Sequence, residues 1–153
     1  QLAESCITDA NAARVRLESL HMTLLFIGER SVSEIERARD AARSVTRSQF
    51  KLRLKRCEFR ARQAMVWLRG ERSAALTGLV DDLRAGLQKA EVAFDSKPFL
   101  PHVTLARKVS SATEAGCDLN WPAREFTLLR SVPNPGGSRY EAIERWPLNI
   151  ETV

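Results

Sequence analysis

Leu20-His21-Met22-Thr23-Leu24 and Pro101-His102-Val103-Thr104-Leu105 are two copies of one phrase, and they hold the only two histidines of the 153-residue chain. In an extended strand, residues i and i+2 point to the same face. Each phrase therefore sets one imidazole beside one hydroxyl, with apolar neighbours turned the other way into a core. Eight threonines in the chain make a Thr two places after a given His roughly a one-in-twenty event, so coincidence at both is rare. A single His-x-Thr on a strand is ordinarily structural. Two of them, far apart in sequence, are what a site needs to grip one phosphate and move a proton on either side of it. Both phrases lie in strand-like runs, residues 20–27 and 102–106.

Working outward, the chain reads as an α+β domain. Residues 1–12 suggest a helix with a loose end. Ser33 followed by Glu36 reads as a capping box, opening a helix whose apolar stripe is Ile35, Ala38, Ala42 and Val45. Residues 50–59 and 64–68 predict two strands, the first alternating Lys51, Arg53 and Lys55 with Leu52 and Leu54. Residues 73–90 form a second long helix with Leu76, Leu79, Val80, Leu83 and Leu87 on one face. After the His102 strand come a strand at 126–132, the turn Pro133-Asn134-Pro135-Gly136-Gly137 and a closing strand at 139–143. Helix, histidine strand and further strands thus occur twice. The order predicts two similar lobes, each giving one His-x-Thr to a shared cleft.

Composition narrows the function classes. The length suits one domain with a real core, and 44% hydrophobic with 28% charged residues suits a soluble globular chain. No apolar run approaches the ~20 residues of a membrane span, and the start lacks the basic-then-apolar pattern of a signal peptide. Cys6, Cys57 and Cys117 are odd in number and widely spaced. They read as free thiols of a reducing compartment, the cytoplasm. No carboxylate cluster of metal-site spacing accompanies the histidines, so neither metal nor other cofactor is expected. The net charge of +5 comes mostly from arginine and is compatible with an anionic ligand such as RNA. Arg37, Arg39, Arg43 and Arg47 nevertheless fall in a helical stretch, where a solvated face is their expected use. Trp67, Trp121 and Trp146 lie in or beside strands and are expected to pack in a core or at a lobe edge.

At the two phrases the chain resembles the 2H phosphoesterase superfamily, and within it the bacterial RNA 2′,3′-cyclic phosphodiesterases, historically called 2′-5′ RNA ligases. The first stretch is Leu20-His21-Met22-Thr23-Leu24-Leu25-Phe26-Ile27-Gly28-Glu29 and the second Pro98-Phe99-Leu100-Pro101-His102-Val103-Thr104-Leu105-Ala106-Arg107. Trp121-Pro122, the strand at 126–132 and Pro135-Gly136-Gly137-Ser138-Arg139-Tyr140-Glu141 support the likeness, which runs from about Arg14 to Leu148. It implies a single two-lobed domain, residues 1–153, with two mainly antiparallel sheets lining a central cleft and helices packed outside. Two departures stand out. Family members usually begin with a strand before the first helix, whereas this chain opens at Gln1 without it, and Leu25 stands where a basic residue is common.

The chemistry follows from the residues. Opening a 2′,3′-cyclic phosphate requires in-line attack by water and departure of a ribose oxygen. A base must activate the water and an acid must stand behind the leaving oxygen, and imidazole, with an unperturbed pKa of about 6.5, suits both tasks. Hydroxyls of Thr23 and Thr104 are the candidates to stabilise charge on the non-bridging oxygens. The residues alone leave open which histidine is which. The resemblance implies His21 as general acid to the 3′ oxygen and His102 as general base, giving a 2′-phosphate without metal. It also implies Arg107 near the phosphate and Phe26 near the terminal base. Strict alternation puts Phe26 and Arg107 on the opposite face from their histidines, so a bulge or strand end must redirect them. The expected partner is RNA or an oligonucleotide with a cyclic phosphate end, met by a monomer away from any membrane. Alternatives are the same chemistry on a small cyclic nucleotide or a 2′-5′ linkage, including reverse RNA ligation, and a non-catalytic module that binds RNA ends.

Overall fold

Alternation in the run Phe50–Arg60 makes an interior strand of the larger sheet, β2, which turns Leu52, Leu54 and Cys57 inward. The inward phase switches from even to odd numbers because a register shift falls between Leu54 and Arg56. The computed structural model describes residues 5–135 and 137–150, and the chain divides into two compact units.

The first unit comprises residues up to Thr23, Leu52–Arg72 and Leu100–Trp121. Its sheet contains β1 (Ala13–Arg14), β2, β3 (Met65–Gly70), β4 (His102–Arg107) and β5 (Ala115–Ala123), in the order β1-β4-β3-β2-β5. The β1–β4, β2–β3 and β3–β4 pairs are antiparallel. One face carries the core: Leu54, Cys57, Val66, Leu68, Val103, Leu105 and Ala106, closed by Cys6, Ile7 and Val109. The three thiols are thus not scattered in space. Cys6 and Cys57 share this core and Cys117 packs against it, and burial pushes the Cys57 thiol far above its ordinary value, which keeps it unreactive.

The second unit holds both long helices, α1 (Val32–Arg43) and α2 (Ala74–Lys89), and the hairpin of β6 (Glu125–Asn134) and β7 (Gly137–Pro147). The α2 stripe is as the 3.6-residue period requires: Leu76, Leu79, Val80 and Leu87 are buried and Leu83 packs partly. Trp146 stacks on Phe126 in this unit's core at 5.4 Å between centroids, which is the packing expected of it. Among the described residues, no helix is long and apolar enough to cross a membrane.

Several sequence expectations are corrected. Helical geometry near the start ends at Cys6, and residues 1–4 lie outside the described residues. The α1 cap is Ser31 with Glu34, whose carboxylate accepts from the Ser31 backbone N–H at 2.8 Å; Ser33 lies inside the first turn. Strand β5 was not expected, because residues 115–123 show no clean alternation and stay largely exposed. The first His-x-Thr phrase is not a ladder strand: only Met22 pairs, in a single bridge to Val103. The cause is local. β1 runs antiparallel along β4, but the 3₁₀ turn Leu17–Ser19 then lifts the chain off the sheet edge until Met22 returns to it. Nor does each unit supply one phrase, since His21, Thr23, His102 and Thr104 all belong to the first.

Candidate active site

The face of the five-stranded sheet opposite the core carries the candidate residues. Val103 and Leu105 point inward, so His102 and Thr104, their neighbours on β4, point outward and are half-buried. The Met22–Val103 bridge is antiparallel, and its register, carried one residue each way, sets His21 across from Thr104 and Thr23 across from His102. Two imidazoles and two hydroxyls therefore meet at one corner of one sheet.

Both imidazoles are held alike. His102 Nδ1 lies 2.6 Å from the Leu100 carbonyl oxygen, and His21 Nδ1 lies 2.7 Å from the Ser19 carbonyl oxygen. A carbonyl only accepts, so Nδ1 carries the proton in each ring and donates it. Proton exchange is then left to Nε2 in both. The phrase is repeated not only in its residues but in the backbone acceptor two places upstream.

The surroundings of His102 bias it toward the neutral form. Burial lowers its pKa below the ordinary imidazole value; the Leu100 carbonyl opposes this, and the charges of Arg69, Arg60 and His21 add to the lowering. On β3, Arg69 pairs with His102 and Trp67 with Thr104. The Trp67 indole stacks on the His102 ring at 3.8 Å between centroids and 19° between planes. Across on β2, Arg60 lies with Cζ 4.8 Å from the indole centroid. Glu58 accepts from Arg60 at 2.5 Å and pairs with Arg69 at 3.5 Å and Arg56 at 3.4 Å. Burial opposes ionisation of Glu58, but the Arg60 hydrogen bond and the Arg69, Arg60 and Arg56 charges outweigh it and hold its carboxyl below the usual range.

Trp67 therefore corrects the expectation that it only packs. Glu58, Arg60 and Arg69 were not singled out from sequence, and Trp67 was read only as a packing residue. The available signal was position: all four lie on the outward phase of β3, which pairs with the His102 strand, and of β2, the strand beyond it.

Arg107 reaches the site face by a bulge. Val66 pairs with Ala106 and Trp67 with Thr104, so Leu105 is an extra residue on β4. Leu105 and Ala106 both turn inward, at 7% and 0% exposure. Arg107 then pairs with Met65, in phase with Trp67, and donates from a guanidinium nitrogen to Met65 Sδ at 3.5 Å. Phe26 stands in the second unit, 65% exposed and outside any core. Among the described residues, no three His, Cys, Asp or Glu side chains gather as a metal ion would require.

Comparisons with known proteins show the family to which the chain belongs. The family model of the 2′-5′ RNA ligase superfamily matches residues 5–130. The chain is 30% identical to the RNA 2′,3′-cyclic phosphodiesterase of Thermus thermophilus over 145 residues, 86% of this chain and 73% of that one. It is 32% identical to the Escherichia coli protein of the same name over 139 residues, 88% of this chain and 78% of that one. The crystal structure of E. coli LigT complexed with 3′-AMP superposes with a TM-score of 0.77 at 31% identity, over 90% of this chain and 81% of the other.

Proposed function

Because the chain belongs to the 2′-5′ RNA ligase superfamily, we propose that it hydrolyses RNA 2′,3′-cyclic phosphate ends to 2′-phosphomonoesters. The observation that carries the mechanism is the matched pair of Nδ1–carbonyl hydrogen bonds, which supports proton transfer at Nε2 of both rings. His102, biased toward the neutral form, acts as base: Nε2 takes a proton from water as its oxygen attacks phosphorus in line. The bond from phosphorus to the 3′ oxygen breaks, and His21 gives its proton to that oxygen. The next cycle begins once the two imidazoles have exchanged those protons back with solvent.

Negative charge grows on the non-bridging oxygens as attack proceeds. Thr23 and Thr104 hydroxyls and the Arg107 guanidinium stabilise it there, where donors aimed at the transition state contribute most. The bulge that turns Arg107 to the site face supports this role. Phe26 presents an exposed ring of the kind that stacks on a base without choosing its sequence. With the proton work done by two imidazoles, the reaction needs no metal. We take the enzyme to act as a monomer in the cytoplasm, where free thiols persist.

Incubation of an oligonucleotide ending in a 2′,3′-cyclic phosphate with the protein in excess EDTA tests the proposal. A 2′-phosphate product is expected, and His102→Ala should abolish it while leaving salt-sensitive RNA binding. Folded protein that binds the oligonucleotide without turning it over would sink the reading in favour of an end-binding module. A mononucleotide substrate is the second reading, because the related LigT has been solved with 3′-AMP bound. Comparing turnover on a cyclic mononucleotide and on short RNA separates the two.

A further inference from the structure

Trp67 has no place in the proton-transfer scheme, yet its indole lies flat on His102 at 3.8 Å, closer than the roughly 4.5–7 Å usual between aromatic centroids. We propose that Trp67, braced by the Glu58–Arg60 pair, is a positioning residue that fixes the plane of the His102 ring and shuts water from one of its faces; the claim rests on the phosphodiesterase reading only in its kinetic arm. Two constraints act on the imidazole at right angles. The Nδ1–H donated to the Leu100 carbonyl fixes the ring within its plane, and the indole fixes the plane itself. Together they aim Nε2 in one direction. The indole is oriented by its faces rather than its edge, because its Nε1 is buried with no hydrogen-bond partner.

The charges around the ring give the proposal a sign. Trp67 of β3 stacks on His102, and the charges of Arg69 of β3, Arg60 of β2 and His21 of the edge segment act on it; Glu58 of β2 pairs with both arginines, and Thr104 and Arg107 share the outward phase of its own strand. A bare indole face would attract a charged imidazolium. Here Arg60 already lies over that ring, so the π cloud is shared with a fixed cation. Exclusion of water and the two guanidiniums prevail, and the neutral imidazole is favoured. Glu58 moderates this by offsetting Arg60 and Arg69.

Only two histidines are present, so proton NMR titration of the ring hydrogens follows both, with His21→Gln assigning the signals. The His102 midpoint should lie below the ordinary value. Trp67→Leu should raise it toward that value by hydrating the ring, whereas Trp67→Phe, which still offers a flat face, should stay near wild type. Glu58→Gln should lower it further by unmasking the arginines. The acidic limb of kcat/KM should move with each midpoint, and Trp67→Leu should reduce kcat at least tenfold with KM little changed. A simple loss of structure cannot produce opposite shifts from the two variants. An unmoved midpoint in Trp67→Leu, or shifts of one sign in both variants, overturns the proposal. Should Trp67→Leu fail to fold, Glu58→Gln decides, and the absence of a downward shift overturns it. Opposite NMR shifts in a protein that turns over no cyclic phosphate would sink the phosphodiesterase reading and leave this proposal standing.

Discussion

The two His-x-Thr phrases share a sequence pattern and not a local structure. The second lies in β4, paired on both sides, with Pro101 and Val103 buried beneath it. The first touches the same strand through one bridge after a 3₁₀ turn. What the two keep in common is smaller and more specific: an Nδ1–H donated to the carbonyl two residues upstream. Proton chemistry constrains the ring and its tautomer. It does not demand a strand, and a turn that presents the same carbonyl serves equally.

The hardest way to break this comparison is to remove either ring. His21→Ala and His102→Ala should each lower kcat by roughly 10²–10⁴-fold, the usual range for a general acid or base. If the phrases act as a unit, the double variant should cost little more than either single one. Multiplying losses, measured under single turnover, would show two independent contributions.

Next in size are the hydroxyls. Thr23→Val and Thr104→Val keep shape and β-branching, so folding should survive. Each should raise the barrier by roughly 2–4 kcal/mol, two to three orders of magnitude in rate, seen in kcat more than KM. Thr104 is half-buried on the ladder and Thr23 is exposed at the edge. A loss confined to Thr104 would assign phosphate binding to the ladder phrase alone.

Gly70 touches both phrases. A Cβ there would meet Pro101 Cβ at 3.2 Å and Met22 Cε at 3.3 Å, and the Gly70 N–H donates to the Pro101 carbonyl at 3.0 Å. Gly70→Ala should cost about 1 kcal/mol in denaturant unfolding, at the low end of overpacking. The Met22 side chain can shift more easily than the buried Pro101 ring, so the edge phrase should move first. Unchanged stability and rate would show that the two phrases are not packed through this point.

The smallest effect is in stability against pH. The folded-state pKa of His102 is lowered by burial, so the unfolded chain binds the proton more readily. Stability should therefore fall as pH drops from the ordinary imidazole range through the folded value, and be complete above that range. His102→Gln should flatten this part of the unfolding free-energy curve. A slope that persists would place the titrating group elsewhere.

Most of the regular structure was legible in the sequence, because period alone decides it. The α2 stripe, the Leu52–Leu54 alternation and the His102 strand all follow from spacing. Four features were hidden for identifiable reasons. A tertiary 3₁₀ turn overrode the strand pattern around His21. Two Ser-x-x-Glu frames, at Ser31 and Ser33, competed for the α1 cap, and only the first places its carboxylate on the cap N–H. The exposed strand β5 carries no burial signal. Trp67 looked like any strand tryptophan, since stacking on His102 depends on the pairing register of β3 with β4. The histidines and threonines were evident from repetition. Their setting in arginines and a glutamate was not, because those residues come from neighbouring strands that sequence does not align.

The extra residue at Leu105 has a bearing on how the chain finds its native pairing. Sliding β4 by one residue to remove it would send the Arg107 guanidinium toward the apolar side and bring Ala106, fully buried in the native register, to the outside. Burying an unpaired cation costs far more than relaxing one irregular ladder step gains. The arginine thus acts as a penalty against the misaligned pairing of β4 with β3 while the sheet is still assembling. On this view Arg107→Leu would do more than delete the charge proposed to stabilise phosphate: it would make two registers of the same strand nearly equal in energy, and the error would appear as slow or heterogeneous refolding before any substrate is added.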